Sequence, residues 1–189
     1  MKRIVTCLLL AALVPAAQAQ PREGKTRELS VSGSYQRYSS GSSSSSSAFL
    51  ISPRLGIFVH RGFEIEPEVL LMFATGATVY VLNGNVSYNF VGEGKAVPFL
   101  LLGYGIANTV PLFNIPTTKV EYSVGVLNVG AGVKAFLTED IALRFEYRYQ
   151  NFSGDGGTTN YSFSGYSYSI TRKIDVRLHT VQFGLSVLL

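Results

Sequence analysis

Tryptophan is absent from this 189-residue chain, cysteine occurs once and methionine twice. A single cysteine excludes a disulfide framework and a cysteine-based zinc module. Charge is also scarce, at 15% of residues against roughly 25% in an ordinary globular domain. Scarce charge beside 47% hydrophobic residues excludes disorder, because so much apolar surface does not stay solvated. The Ala, Glu, Lys and Leu enrichment of a helical protein is missing as well. What is present is Gly (19), Tyr (11), Phe (12) and abundant Ser. That composition reads as one domain of β structure whose apolar side meets something other than water.

The chain opens with Met1-Lys2-Arg3, an apolar run from Ile4 to Val14, and Ala16-Ala17-Gln18-Ala19-Gln20. A basic start, a short apolar stretch and a small-x-small site make a secretory signal peptide. The apolar run is too short for the ~20 residues of a spanning helix. Cleavage is expected between Ala19 and Gln20. This divides the chain into a leader (1–19), a short periplasmic lead-in (20–27) and a β domain (28–189). Losing the leader removes Cys7, Lys2 and Arg3, which lowers the net charge from +4 to +2. No basic patch is left to argue for nucleic acid.

Strict alternation is the strongest pattern in the chain. In Ile141 to Gln150 one face carries Ile141, Leu143, Phe145, Tyr147 and Tyr149, the other Ala142, Arg144, Glu146, Arg148 and Gln150. The same period runs through Phe63 to Val69, Leu82 to Phe90 and residues 29–36, and it is the period of strands with two unlike faces. Eight segments are expected, near 28–38, 48–59, 63–74, 78–91, 97–107, 120–137, 140–151 and 173–189. Most exceed the usual strand length and reach the ~9–11 residues of a transmembrane strand. Tight connections near 60–62, 92–94 and 138–140 alternate with long ones at 39–47, 108–119 and 152–172, the short one at 75–77 excepted. An even strand number with that loop asymmetry is the arrangement of an outer-membrane barrel.

Two other architectures compete. The uncharged stretches 69–92 and 96–118 raise inner-membrane helices, but the first holds Asn83, Gly84, Asn85 and Asn89 and the second Pro98, Pro111 and Pro116. A soluble ligand-binding barrel would turn the apolar face inward. Eight strands leave an interior only wide enough for side chains to fill it. The Tyr and Phe side chains would not fit there, whereas the small and paired charged residues of the other face would. The expected fold is therefore an all-β, eight-stranded antiparallel transmembrane barrel with long extracellular loops and short periplasmic turns.

Several segments carry a family likeness. They are Ser52-Pro53-Arg54-Leu55-Gly56-Ile57-Phe58, the Pro98 to Gly105 strand, and the hairpin from Asn128-Val129-Gly130-Ala131-Gly132-Val133-Lys134 to Arg144-Phe145-Glu146-Tyr147-Arg148-Tyr149. On these the chain resembles the small eight-stranded outer-membrane barrels that include OmpA, OmpX and the opacity proteins. The final strand is similar to the C-terminal signal read by the barrel-assembly machinery, through Gln182, Gly184, Val187 and Leu189. It departs in ending on Leu189 where such proteins usually end in Phe. The resemblance implies export, assembly by that machinery, and an outer membrane containing lipopolysaccharide, with both termini periplasmic.

Arg54, Glu64, Glu66, Glu68, Lys134, Arg144, Glu146 and Arg148 all fall on the expected inward face. Charges there must pair, because isolated ones in a low-dielectric interior are very costly. They are read as a filling network, with a narrow passive pore for small solutes as the alternative. A lipid-modifying enzyme is the third reading, from His179, Asp175 and Ser186. Ser186 falls on the face opposite His179, so no catalytic residues are assigned. No cofactor or metal motif is present. The loops at 108–119 and 152–172 are candidate ligand surfaces, the second rich in the Tyr, Ser, Gly and Asn that make adaptable contacts. A monomer with a structural or surface-interaction, adhesin-like role is expected.

Overall fold

The computed structural model describes residues 25–40, 44–74, 77–90, 92, 94–110, 123–163 and 166–189. The leader, its Ala19–Gln20 junction and most of the 108–119 segment lie outside them. Eight strands follow one another: β1 (Arg27–Ser40), β2 (Ser44–His60), β3 (Phe63–Ala74), β4 (Ala77–Asn89), β5 (Ala96–Val110), β6 (Ser123–Phe136), β7 (Ile141–Phe163) and β8 (Tyr166–Leu188). Each pairs antiparallel with the next, and β1 returns to β8, so the sheet is a closed barrel. Closure satisfies wall amides and carbonyls without water, which is what a sheet surrounded by hydrocarbon requires.

The tight turns lie at one end with both strand termini. Between β2 and β3, Gly62 has φ 78°, a left-handed conformation that glycine adopts without penalty. A Cβ there would also sit 2.4 Å from the Asn89 carbonyl oxygen. Between β6 and β7, the Thr138 hydroxyl accepts from the amide of Ile141 at 3.1 Å, and the Leu137 amide donates to the Ile141 carbonyl at 2.8 Å. At the same end the Leu189 amide donates to the Arg27 carbonyl at 2.9 Å, tying the last residue to the first strand.

Two of the expected connections, 39–47 and 152–172, are shorter than the sequence suggests, and the one at 108–119 is displaced, with β6 beginning at Ser123. β1 reaches Ser40 and β2 resumes at Ser44, so most of 39–47 is strand, and β5 runs on to Val110. The largest correction concerns 152–172: β7 and β8 stay paired to Phe163↔Tyr166, across one bulge between Asp155 and Thr158. Gly, Ser, Thr and Asn suggest a loop by composition, but the backbone ladder overrides local propensity.

The two faces differ as the alternation implies. Outward positions carry exposed apolar and aromatic side chains, among them Leu29, Ile57, Phe63, Leu100, Tyr104, Phe145 and Phe183. An exposed apolar wall of this extent is unsuited to water and suited to lipid. Aromatic groups mark both ends of the wall. Tyr88 packs against Phe63 and Phe90 with ring centroids 4.8 and 4.9 Å away, near the turns. Tyr149 lies 5.0 Å from the His179 ring nearer the loops.

Candidate functional site

The interior is the site where charged side chains converge. Arg54 comes from β2, Glu64, Glu66 and Glu68 from β3, Lys134 from β6, and Arg144, Glu146 and Arg148 from β7, all inward by the period of two and all buried. Glu146 is the hub. It accepts from Arg148 Nε at 2.6 Å, Arg54 Nη1 at 2.6 Å and Arg144 Nε at 3.1 Å. Glu68 is a second centre, receiving Arg148 Nη1 on both oxygens at 2.9 and 2.6 Å and Arg54 Nε at 3.0 Å. Ser52, Asn83 and Asn85 also donate to it. Glu66 faces Arg144 Nη2 at 2.9 Å.

Nearer the turns, Lys134 Nζ donates to Glu64 at 2.9 Å and to Glu28 at 2.6 Å. Sequence reasoning missed Glu28. It opens β1 in the same inward series as Ser30, Ser32 and Ser34, and that series is the signal that would have found it. The Phe99 ring lies 4.3 Å from the Arg144 guanidinium and 5.6 Å from Lys134 Nζ, within cation–π range. Its neighbour across the ladder is Gly132, where a Cβ would sit 2.6 Å from the ring. Gly103 and Gly105 make room for Asn85 and Asn83 in the same way. Small residues on one strand thus allow long polar ones on the next.

Among the assembly-signal residues, Gln182 belongs to this network: its carbonyl oxygen accepts from Arg54 Nη2 at 2.7 Å. Gly184 lies against Ser32 of β1, where a Cβ would approach the hydroxyl to 2.3 Å. Val187 sits on the closing seam opposite Leu29. Leu189 is exposed, beyond the last strand.

Toward the loops the inward series changes character. On β2 it passes from Ser52 to Leu50 and Ala48, on β3 from Glu68 to Leu70, on β4 from Asn83 to Val81, and on β6 from Asn128 to Val126 and Val124. On β7 it passes from Gln150 to Phe152, and on β8 from Thr180 to Leu178. These apolar residues form one cluster, with Met72, Val79 and Ile174 packed against it. A chain of amides marks the boundary below it: Gln150 donates to Asn128 at 2.7 Å, and Asn128 to Asn83 at 3.0 Å. The sequence reading did not separate this layer, because Phe49 to Ile51 and Val69 to Phe73 are apolar on both faces and the alternation disappears there.

The residues weighed for catalysis are not brought together. His179 lies on the outer face, where its Nδ1 is 2.6 Å from the Tyr147 hydroxyl. Asp175 is exposed on the same face, and Ser186 is buried inside. Among the described residues no group of acidic, His or Cys side chains is placed to hold a metal.

With this geometry in view, the model of the family described as outer membrane protein beta-barrel domain matches residues 5–187. No curated protein matches the sequence. Among solved structures, the fold is similar to Neisserial surface protein A, NspA, at 15% identity over 86% of this chain and 96% of that one, with a TM-score of 0.60. It is similar to the N-terminal β-barrel domain of OprF from Pseudomonas aeruginosa, at 13% identity over 88% and 100%, TM-score 0.57. It is also similar to the outer membrane protein OprG from Pseudomonas aeruginosa, at 11% identity over 90% and 98%, TM-score 0.54. At such identities the likeness is one of fold.

Proposed function

The chain belongs to the outer membrane protein beta-barrel domain family, and from that premise we propose that it is a closed surface barrel with a structural and surface-interaction role, not a conducting or catalytic one. The tight turns and both termini face the periplasm, and the loop end faces outside. The single observation behind this reading is the filled interior. Five carboxylates and four cations occupy its turn end, and Leu50, Leu70, Val81, Val126, Phe152 and Leu178 close its loop end. An ion entering from the loop side meets an apolar layer that offers no replacement for its hydration shell.

Planar-bilayer recording tests it. The purified barrel is expected to leave the bilayer silent, and a steady unitary conductance would establish the pore instead. The interaction role resides at the loop end. There β7 and β8 stay paired with each other to Phe163↔Tyr166, past the last described pair with β6, Ser123↔Asp155. Cells lacking residues 158–171 are expected to lose surface adhesion while the barrel keeps its heat-modifiable migration. Adhesion equal to the full-length protein would remove the adhesive role.

A further inference from the structure

The buried charges at the turn end do not balance. Among the described residues, Glu28, Glu64, Glu66, Glu68 and Glu146 meet Arg54, Lys134, Arg144 and Arg148, none more than 3% exposed. Five carboxylates against four cations leave one negative charge in a low-dielectric interior, where an unmatched charge is very costly. The rim cations Arg27, Arg61 and Lys95 are exposed, and water screens them from the interior. The deficit has a location. In the middle, Glu68 and Glu146 are matched by Arg54 and Arg148 at 2.6 to 3.0 Å. That leaves Glu28, Glu64 and Glu66 to Lys134 and Arg144, and Arg144 also serves Glu146 at 3.0 Å.

Glu64 is the least compensated of the three. Glu66 has Arg144 Nη2 at 2.9 Å and Arg54 Nη1 at 3.9 Å. Glu28 has Lys134 Nζ at 2.6 Å and Arg144 Nη1 at 3.5 Å. Glu64 has Lys134 alone, at 2.9 Å, and shares it with Glu28. Its two oxygens differ. Oε2 takes the lysine and also accepts from Asn89 Nδ2 at 3.0 Å and Ser87 Oγ at 3.3 Å. Oε1 is buried and accepts from no donor among the described residues. It occupies the space that Gly56 leaves open, where a Cβ would collide with it and would lie 3.1 Å from Glu28 Cβ. Glu28 thus flanks it, and Glu28 Oε1 likewise lacks a hydrogen-bond donor. The other strands bring no charge at this level: β2 has Gly56 and Phe58, β5 Val97 and Phe99, and β8 Ser186 and Leu188.

We propose that the turn end of the interior is a proton-binding site, with one proton held on Glu64 Oε1 in the folded barrel. The carboxylate takes it from water and becomes a neutral acid, and the buried charges then match four to four. A proton requires no cavity, which suits a space as tight as the one beside Gly56. Among the described residues no acidic group is placed to hold a metal ion instead. Oε2 keeps its donors in either state, so the lysine stays in place. Without the proton, Glu28, Glu64 and Glu66 repel one another across Lys134 and Arg144, whereas the balanced pairs of the middle are untouched. In the unfolded chain a carboxyl in water gives its proton up at neutral pH, so folding takes one up. The turn end therefore tightens as the proton binds and loosens as it leaves.

Infrared spectra of the folded barrel in an ester-free detergent test the site directly. At about pH 7 the wild type is expected to show the carbonyl stretch of a protonated carboxyl, since carboxyls in water are ionised there. Glu64→Gln should lose that band and keep its heat-modifiable migration. A wild type without the band overturns the site, whether or not the variant folds. The same band in Glu64→Gln overturns the assignment to Glu64. Urea unfolding in vesicles gives a second readout. The wild-type midpoint should fall from about pH 6 to about pH 9, because the native barrel gives up a proton that the unfolded chain has already lost. Glu64→Gln, neutral throughout, should stay level. Glu68→Gln, which breaks a balanced pair, should lower the midpoint at both ends of the range and keep the fall. A level wild-type midpoint, or a fall as steep in Glu64→Gln, overturns the proposal.

Discussion

Between the tight turns and the barrel's middle, inward positions carry Glu28, Arg54, Glu64, Glu66, Glu68, Lys134, Arg144, Glu146 and Arg148; from there to the loop end they carry Leu50, Leu70, Val81, Val126, Phe152 and Leu178. Both halves are buried and both are enclosed by an apolar wall. The charged half holds itself together through directed contacts, with Glu146 and Glu68 each shared by two or more guanidinium groups. The apolar half depends on close packing, which is non-directional. Low dielectric strengthens the ion pairs and equally raises the cost of leaving one member alone. Keeping water from the charged half is therefore as important to it as its own geometry, and the apolar layer supplies that exclusion on the loop side.

The comparison can be broken from either half. The largest effect is expected for Glu146→Ala, which takes from Arg54, Arg144 and Arg148 the carboxylate they share and leaves them only their ion pairs with Glu68, Glu66 and Glu28. Breaking buried pairs in this way costs about 3–5 kcal/mol, so the urea unfolding midpoint in vesicles should fall sharply. An unchanged midpoint would mean that the network does not hold the barrel. Next comes Leu70→Ala, at a fully buried position of the apolar cluster. Loss of the side chain and the cavity left behind should cost about 3 kcal/mol by the same measurement. If it costs less than Asn128→Ala, the loop-end layer is not packed as a core. The smallest effect is expected for Asn128→Ala itself at the boundary, where two amide hydrogen bonds are lost. About 1–2 kcal/mol is expected, and a loss as large as that of Glu146→Ala would merge the two halves into one network.

How much of this was legible in the sequence varies by strand. β7 from Ile141 to Gln150 shows its two faces without ambiguity, because large apolar and charged residues alternate with no exception. Arg54 and Lys134 were legible as inward by the same period. Glu28 was not singled out, since a charge at a strand's first turn reads equally well as a solvated end. The apolar layer was hidden where both faces are apolar, as in Val69 to Phe73. The ribbon of β7 and β8 was hidden by composition, although Tyr161-Ser162-Phe163 and Tyr166-Ser167-Tyr168-Ser169 do alternate. Register across the hairpin, not local propensity, makes those residues strand.

The sequence by itself determined the strand number, the two-faced pattern and the positions of the tight turns, because period and turn chemistry are local and repeat along the chain. It also determined which residues face inward wherever the two faces differ in polarity. Only the tertiary structure decided which charges meet: Glu146 on β7 and Arg54 on β2 lie 92 residues apart and are joined at 2.6 Å by closure of the sheet. Closure likewise decided that β1 and β8 pair from Glu28↔Leu188 to Gly33↔Phe183, and that the inward series changes from polar to apolar at one level on different strands. These are properties of strands placed side by side, set by the stagger of the barrel, and no single strand contains them.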